Sequence, residues 1–201
     1  QEEVKEFTVW TDTGCAGCLR TRKSTSGGVL GHGVHNLKTW SSTQAIIALS
    51  SGEAEYYGMV KGAGVAIGMR EIMSDLGVKR SIRLKNDASA AKGISSRRGL
   101  GKIRHLEVSQ LWLQEKVARG EILVHKVEGK FNLSDALTKF VTRQEMDDHI
   151  RWMNMAEERG RHELMPRDDA KEDDLAEGEP GEEEVAGEPG DEVGAHIITC
   201  V

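Results

Sequence analysis

The chain has 201 residues, room for one ordinary domain and a tail, and a formal net charge of -6. That total hides two regions of opposite sign: residues 157–192 hold 16 acidic and 4 basic residues, a net of -12, and the remainder holds 17 acidic and 23 basic, a net of +6. No window is apolar for long enough to span a bilayer, and 3 cysteines exclude a disulfide-built scaffold and favour a reducing compartment. In chain order, β-branched and aromatic residues predict a strand over 7–10, just ahead of Asp12. A Gly- and Arg-containing loop follows over 15–24, then strands over 27–30 and 37–40 with a turn between them, which completes an antiparallel meander. Ser50, Ser51 and Glu53 start a helix expected to run to Leu76 and stop at Gly77. Its glycines, Gly58, Gly62, Gly64 and Gly68, lower its propensity and imply close packing against a sheet. A strand over 82–84 leads into Asp87, and a short helix covers 88–94. A basic, Gly-punctuated connector carries Arg97, Arg98, Lys102 and Arg104. An amphipathic helix over 106–117 ends at Gly120, a strand covers 122–127, and a last helix starts at Leu133.

Beyond Met155, Glu, Asp, Gly and Pro dominate, and the Gly-Glu-Pro-Gly run at Gly178 recurs at Gly187. Such a stretch cannot bury enough apolar surface to offset its chain entropy, so 151–201 is expected to be a disordered acidic tail on a domain of residues 1–150. The order β-β-β-α-β-α-α-β-α predicts an α/β domain with a mixed sheet, three antiparallel strands followed by crossover strands. The first residue is Gln1, not Met, which fits a segment cut from a longer chain. Cys15 and Cys18 form a C-x-x-C, but half of any zinc site is missing and no helix opens at the motif, so a plain loop is expected.

Four acids stand in short motifs of their own: Asp12 in Val9-Trp10-Thr11-Asp12, Glu55 in Gly52-Glu53-Ala54-Glu55-Tyr56, Asp87 in Lys85-Asn86-Asp87-Ala88, and Asp135 in Ser134-Asp135-Ala136-Leu137. Taken singly, each reads as a turn former, a first-turn dipole partner or a helix cap. Taken together, carboxylates from four distant segments are what a pair of hard divalent cations requires. A basic body points to a polyanionic partner, and a free acidic tail would compete for the same surface.

The order of these motifs resembles ribonuclease H, and more closely the ribonuclease H domain of copia-type retrotransposon polyproteins. The resemblance covers residues 7–143. It rests on Thr11-Asp12, Ala16-Gly17-Cys18, Arg22-Lys23-Ser24-Thr25-Ser26-Gly27, Trp40-Ser41-Ser42, Ser50-Ser51-Gly52-Glu53-Ala54-Glu55-Tyr56, Asp87 with Ala90-Ala91, Arg104-His105, Glu115-Lys116-Val117 with Gly120, and Asp135-Ala136-Leu137-Thr138-Lys139. It implies a five-stranded ribonuclease H-like fold in which Asp12, Glu55, Asp87 and Asp135 are catalytic and bind two Mg²⁺ ions, with Mn²⁺ able to substitute. It implies hydrolysis of the RNA strand of an RNA/DNA hybrid to 3′-hydroxyl and 5′-phosphate ends. The partner would be the hybrid, delivered by an upstream reverse transcriptase domain. No membrane would be involved, and the place of action would be intracellular, in a cytoplasmic particle or the nucleus.

Within Glu53-Ala54-Glu55 the two carboxylates point to nearly opposite sides of a helix, and the resemblance selects Glu55. Gly14, Ser24, Thr25 and Ser89 are candidates for reading the ribose 2′-hydroxyl. Arg97, Arg98, Lys102 and Arg104 are candidates for holding the hybrid by charge, and Lys130 is a substrate-binding candidate in the loop before Asp135. The chain departs from the family at Gly14, Cys15 and Phe140. It also lacks a His between Val127 and Asp135, and His125 on the neighbouring strand is expected to be packed or hydrogen-bonded. A domesticated nucleic-acid-binding domain and an integrase- or resolvase-like nuclease are the alternatives.

Overall fold

A computed structural model describes residues 4–18, 20–101, 106–159 and 196–200. Strands β1 (Glu6–Gly14), β2 (Thr25–His32), β3 (His35–Thr43), β4 (Ser81–Asn86) and β5 (Ile122–Lys126) form one sheet in the order β3-β2-β1-β4-β5. The first three pair antiparallel, while β4 lies parallel to β1 and β5 parallel to β4. This is the mixed, five-stranded sheet that the motif order implied. A hairpin turn at Gly33, with φ of 62°, is enough to join β2 to β3. Parallel neighbours need a crossover. Helix α1 (Ser51–Asp75) supplies it between β3 and β4, and α2 (Ser89–Ser95) with α3 (Trp112–Ala118) supplies it between β4 and β5.

Period-two alternation turns Phe7, Val9, Ile82, Leu84 and Ile122 to one face of the sheet, where they bury against Tyr56, Met59, Ala63 and Ala66 of α1. The helix starts where the sequence predicts: the Ser50 hydroxyl accepts from the Glu53 amide at 3.2 Å. It ends at Leu76, followed by Gly77 at φ 79°. Two of its glycines set how closely it lies on β1. A Cβ on Gly58 would sit 2.5 Å from Thr13 Oγ1, and one on Gly62 would sit 2.5 Å from Thr11 Cγ2. Gly64 and Gly68 meet nothing within 4 Å, so packing explains only part of the glycine content.

Several elements differ from expectation. Strands β1, β2 and β3 are longer than their apolar runs, because ladder hydrogen bonds continue through polar residues, and Asp12 lies inside β1 instead of beyond it. The helix expected over 106–117 is broken: a 3-10 turn at Val108–Gln110 precedes α3, which begins at Trp112. No helix starts at Leu133. Two 3-10 turns, Gly129–Phe131 and Asp135–Leu137, lead instead to α4 (Arg143–Trp152). There the capping signal is Thr142 with Glu145, a reciprocal capping box. Helix α4 runs past residue 150, and Ile150 and Met153 are buried, so the first unit extends a few residues beyond the expected boundary.

A second unit covers 156–199. Its described residues lie in β6 (Met155–Arg159) and β7 (His196–Cys200), which pair with each other. Strand was not expected at these two ends of the acidic stretch; Ile197, Ile198 and Thr199 supply the β-branched residues that favour it. The acidic residues between the two strands lie outside the described residues.

Candidate active site

Register brings Asp12 and Asp87 together. Trp10 of β1 stands beside Lys85 of β4 in a parallel pair, so Asp12 and Asp87, each two residues further on, are level with one another. Glu55 reaches the same place from the second turn of α1. Carboxylate oxygens of Asp12, Glu55 and Asp87 all lie within 4.8 Å of one another. Glu53 turns elsewhere: it is 2 % exposed, accepts from the Leu49 amide at 2.9 Å and from the Tyr57 hydroxyl at 2.7 Å, and serves the helix start.

Asp135 lies near this trio but outside it. Its carboxylate is paired with Lys139 at 2.7 Å, one turn along. The same segment still touches the trio, because the Thr138 hydroxyl donates to Asp12 Oδ2. Two glycines let that segment lie on the sheet. A Cβ on Gly27, the residue opposite Asp12, would meet Thr138 Cγ2 at 2.7 Å, and one on Gly14 would meet the Thr138 carbonyl at 2.7 Å.

Sequence reasoning missed the polar residues that hold the acids in place. Buried Asn86 donates to Glu55 Oε2 at 3.0 Å and to the Thr11 carbonyl at 3.0 Å, while its own carbonyl accepts from the Ala88 amide at 2.8 Å and turns the chain at Asp87. Asn132, fully buried, donates to the same Thr11 carbonyl at 3.0 Å and accepts from the Ser134 hydroxyl at 2.8 Å. Thr11 thus ties β1, β4 and the loop before Asp135 together, one residue from Asp12. Asn86 and Thr138 stand inside the acidic motifs and were legible as neighbours of the acids. No local signal marks Asn132.

The remaining predicted residues are spread more widely. Ser24 is buried, and its hydroxyl accepts from the Ala16 amide at 3.0 Å, so it shapes the β1–β2 loop. Thr25 opens β2 opposite Gly14. Ser89, at the start of α2, accepts from Lys126 at 2.6 Å. Arg97 folds back onto its own loop and donates to the Leu100 carbonyl at 2.7 Å, whereas Arg98 is exposed. Lys130 is exposed and pairs with Glu128 at 3.3 Å. Lys102 and Arg104 lie outside the described residues. His125 is exposed on β5, not packed as expected, because β5 closes the sheet edge and its outer residues face solvent. Cys15 and Cys18 are free thiols in the β1–β2 loop.

Burial beside other acids shifts Glu55 and Asp12. Burial raises Glu55 most, to about 8, against an opposing hydrogen bond from Asn86 and with the Asp12 and Asp87 charges adding to the rise. Burial likewise raises Asp12 to about 6, opposed by the Thr138 hydroxyl and reinforced by Asp87 and Asp135. Without a cation the cluster therefore opposes folding at neutral pH. The unfolded chain releases these protons near 3.8 and 4.5, the folded one near 6 and 8. Between those limits the native state holds more protons, so stability falls as pH rises. We expect the melting temperature of chelator-treated protein to drop from about pH 5 to about pH 8, and a divalent cation to restore it. A flat profile in chelator would show that the carboxylates are not mutually strained. The all-oxygen donor set fits a hard divalent cation, whose charge removes the repulsion.

No family model matches the chain. A curated relative, the retrovirus-related Pol polyprotein from transposon TNT 1-94 of Nicotiana tabacum, is 26% identical over 140 residues, which is 69% of this chain and 10% of the polyprotein. Similar solved structures include the N-terminal RNase H domain of Rv2228c from Mycobacterium tuberculosis, at 17% identity and TM-score 0.47, covering 73% of this chain and 97% of that one. They also include LC11-RNase H1 from compost, at 15% identity and TM-score 0.47, covering 72% and 97%. Among the described residues, no helix is long and apolar enough to cross a membrane. The chain is thus an α/β domain with a mixed five-stranded sheet, similar in sequence to a segment spanning about a tenth of a retrovirus-related transposon Pol polyprotein.

Proposed function

We propose that the chain is a metal-dependent endonuclease that hydrolyses the RNA strand of RNA/DNA hybrids, leaving 3′-hydroxyl and 5′-phosphate ends. The observation that carries this reading is the convergence of Asp12, Glu55 and Asp87 oxygens within 4.8 Å. Two bound Mg²⁺ ions, or Mn²⁺ in their place, would activate the attacking water and stabilise the leaving oxygen. Asp12, Glu55 and Asp87 would hold the cations, with Asp135, now paired with Lys139, as a fourth ligand. Asn86 and Thr138 orient Glu55 and Asp12 by hydrogen bonds, so the carboxylates are preorganised. Gly14, two residues after Asp12, Thr25, opposite Gly14 on β2, and Ser89, two residues after Asp87, would test the ribose. Arg98 and Lys130, with Lys102 and Arg104, supply positive charge for the duplex backbone.

The catalytic unit in this proposal is residues 1–150 and the few that complete α4, with the acidic stretch as a separate region. The substrate arises in reverse transcription and is delivered by an upstream polymerase domain of a parent polyprotein, inside the cell. The test is a hybrid with each strand labelled in turn. In Mg²⁺ the RNA strand should be cut internally and the DNA strand left whole, with no cutting in chelator. Cleavage of duplex DNA in preference to the hybrid would replace this reading with an integrase- or resolvase-like one.

A further inference from the structure

Two phenylalanines on the loop that carries Asp135 have their rings in solvent. Phe131 is 55% exposed and Phe140 is 106% exposed. Single exposed apolar side chains are ordinary on a protein surface. These two differ in their position. Phe131 follows by two residues Gly129, where an added Cβ would stand 3.2 Å from Asp87 Oδ2. Phe140 directly follows Lys139, which is paired with Asp135. Both rings are therefore tethered within one or two residues of groups that reach the carboxylate site. Each also has a lysine beside it: Lys130 Nζ lies 4.7 Å from the Phe131 ring centre, and Lys139 adjoins Phe140. Phe140 and Lys139 border a cavity of about 390 Å³ whose wall includes Trp152, Asp135, Glu145 and Asp148.

We infer that Phe131 and Phe140 form a stacking platform for unpaired RNA bases adjoining the hybrid, resting on the proposed ribonuclease reading. Aromatic rings with neighbouring cations are how proteins hold single-stranded nucleic acid without reading its sequence, because every base offers a flat face. Lys130, which lies over the Phe131 ring, also borders this cavity with Lys139 and Phe140, so the rings take bases while the lysines meet the backbone. Within a duplex the bases are already stacked and cannot reach the rings. The platform thus distinguishes a hybrid with a single-stranded RNA extension from a blunt one, and places the cut near such a junction.

The test measures affinity by fluorescence anisotropy in chelator for a blunt hybrid, for the same hybrid with a four-nucleotide RNA overhang, and for single-stranded RNA. The overhang carries 2-aminopurine, whose emission reports stacking. The extended hybrid should bind about tenfold more tightly than the blunt one, with quenching of the probe, given the usual strength of one base–ring stack. In the Phe131→Ala/Phe140→Ala double variant the ratio should fall to about one and the quenching should vanish, while Phe131→Trp/Phe140→Trp keeps both. Single-stranded RNA should bind wild type more tightly than the double alanine variant. An equal affinity for blunt and extended hybrids in wild type, or an advantage that survives the double alanine change, overturns the platform. Failure of the ribonuclease reading shows separately, as absence of RNA-strand cleavage of the blunt hybrid in Mg²⁺.

Discussion

Replacing Asp12 by Asn is expected to lower hybrid cleavage in Mg²⁺ on the order of a thousandfold or more, because ligands that act as one unit fail together. The fold should survive. Asn keeps a carbonyl that can accept the Thr138 hydroxyl, and the change removes one of three crowded negative charges. The chelator-treated variant should therefore melt no lower than wild type near pH 8, where burial and the charges of Asp87 and Asp135 oppose ionisation of Asp12. The two measurements together discriminate: lost activity with a lost fold would mark Asp12 as structural. Retained activity would remove it from the metal site.

The second large effect separates two glutamates two residues apart. Glu55→Gln is expected to abolish cleavage and to raise the melting temperature of metal-free protein near pH 8, because the buried Glu55 carboxylate is driven to about 8 and its ionisation opposes folding there. Glu53→Gln is expected to do the reverse. It exchanges a buried carboxylate that accepts from the Leu49 amide and the Tyr57 hydroxyl for an amide that can accept only through one oxygen, at a cost of about 1–3 kcal/mol. Cleavage per folded molecule should change only severalfold. Thermal melts of both variants in chelator and in Mg²⁺, beside hybrid cleavage, check this. If Glu53→Gln is the more damaging to cleavage, the assignment within Glu53-Ala54-Glu55 is reversed.

Local chemistry made much of the frame legible. The Ser50 cap, the Gly77 stop and the alternating residues of β1 and β4 are short-range signals, and the structure places helix and strands on them. The region after β5 was read less well. Asp135 sits on a 3-10 turn, and the helix begins eight residues later at Arg143, because the start signal there is the Thr142–Glu145 capping box. The expected helix over 106–117 failed for a similar reason: an amphipathic stripe shows which residues are apolar, but not whether the backbone turns are continuous.

Sequence alone marked four acids as candidates, since each of the four motifs is local, and it determined that Glu53 and Glu55 must diverge, since helix geometry forces that within one turn. Only the tertiary structure decided how the acids meet. The level placement of Asp12 and Asp87 follows from the parallel register of β1 and β4, which joins residues that no local pattern links. The bonds from Asn132 to Thr11 and from Thr138 to Asp12 cross more than a hundred residues of chain. The close seating of the Asp135 segment on Gly14 and Gly27 is a matter of absent side-chain volume that matters only once the two surfaces touch. Hydrogen bonds and steric fit of this kind act over a few ångströms in space, so chain order does not encode them one residue at a time.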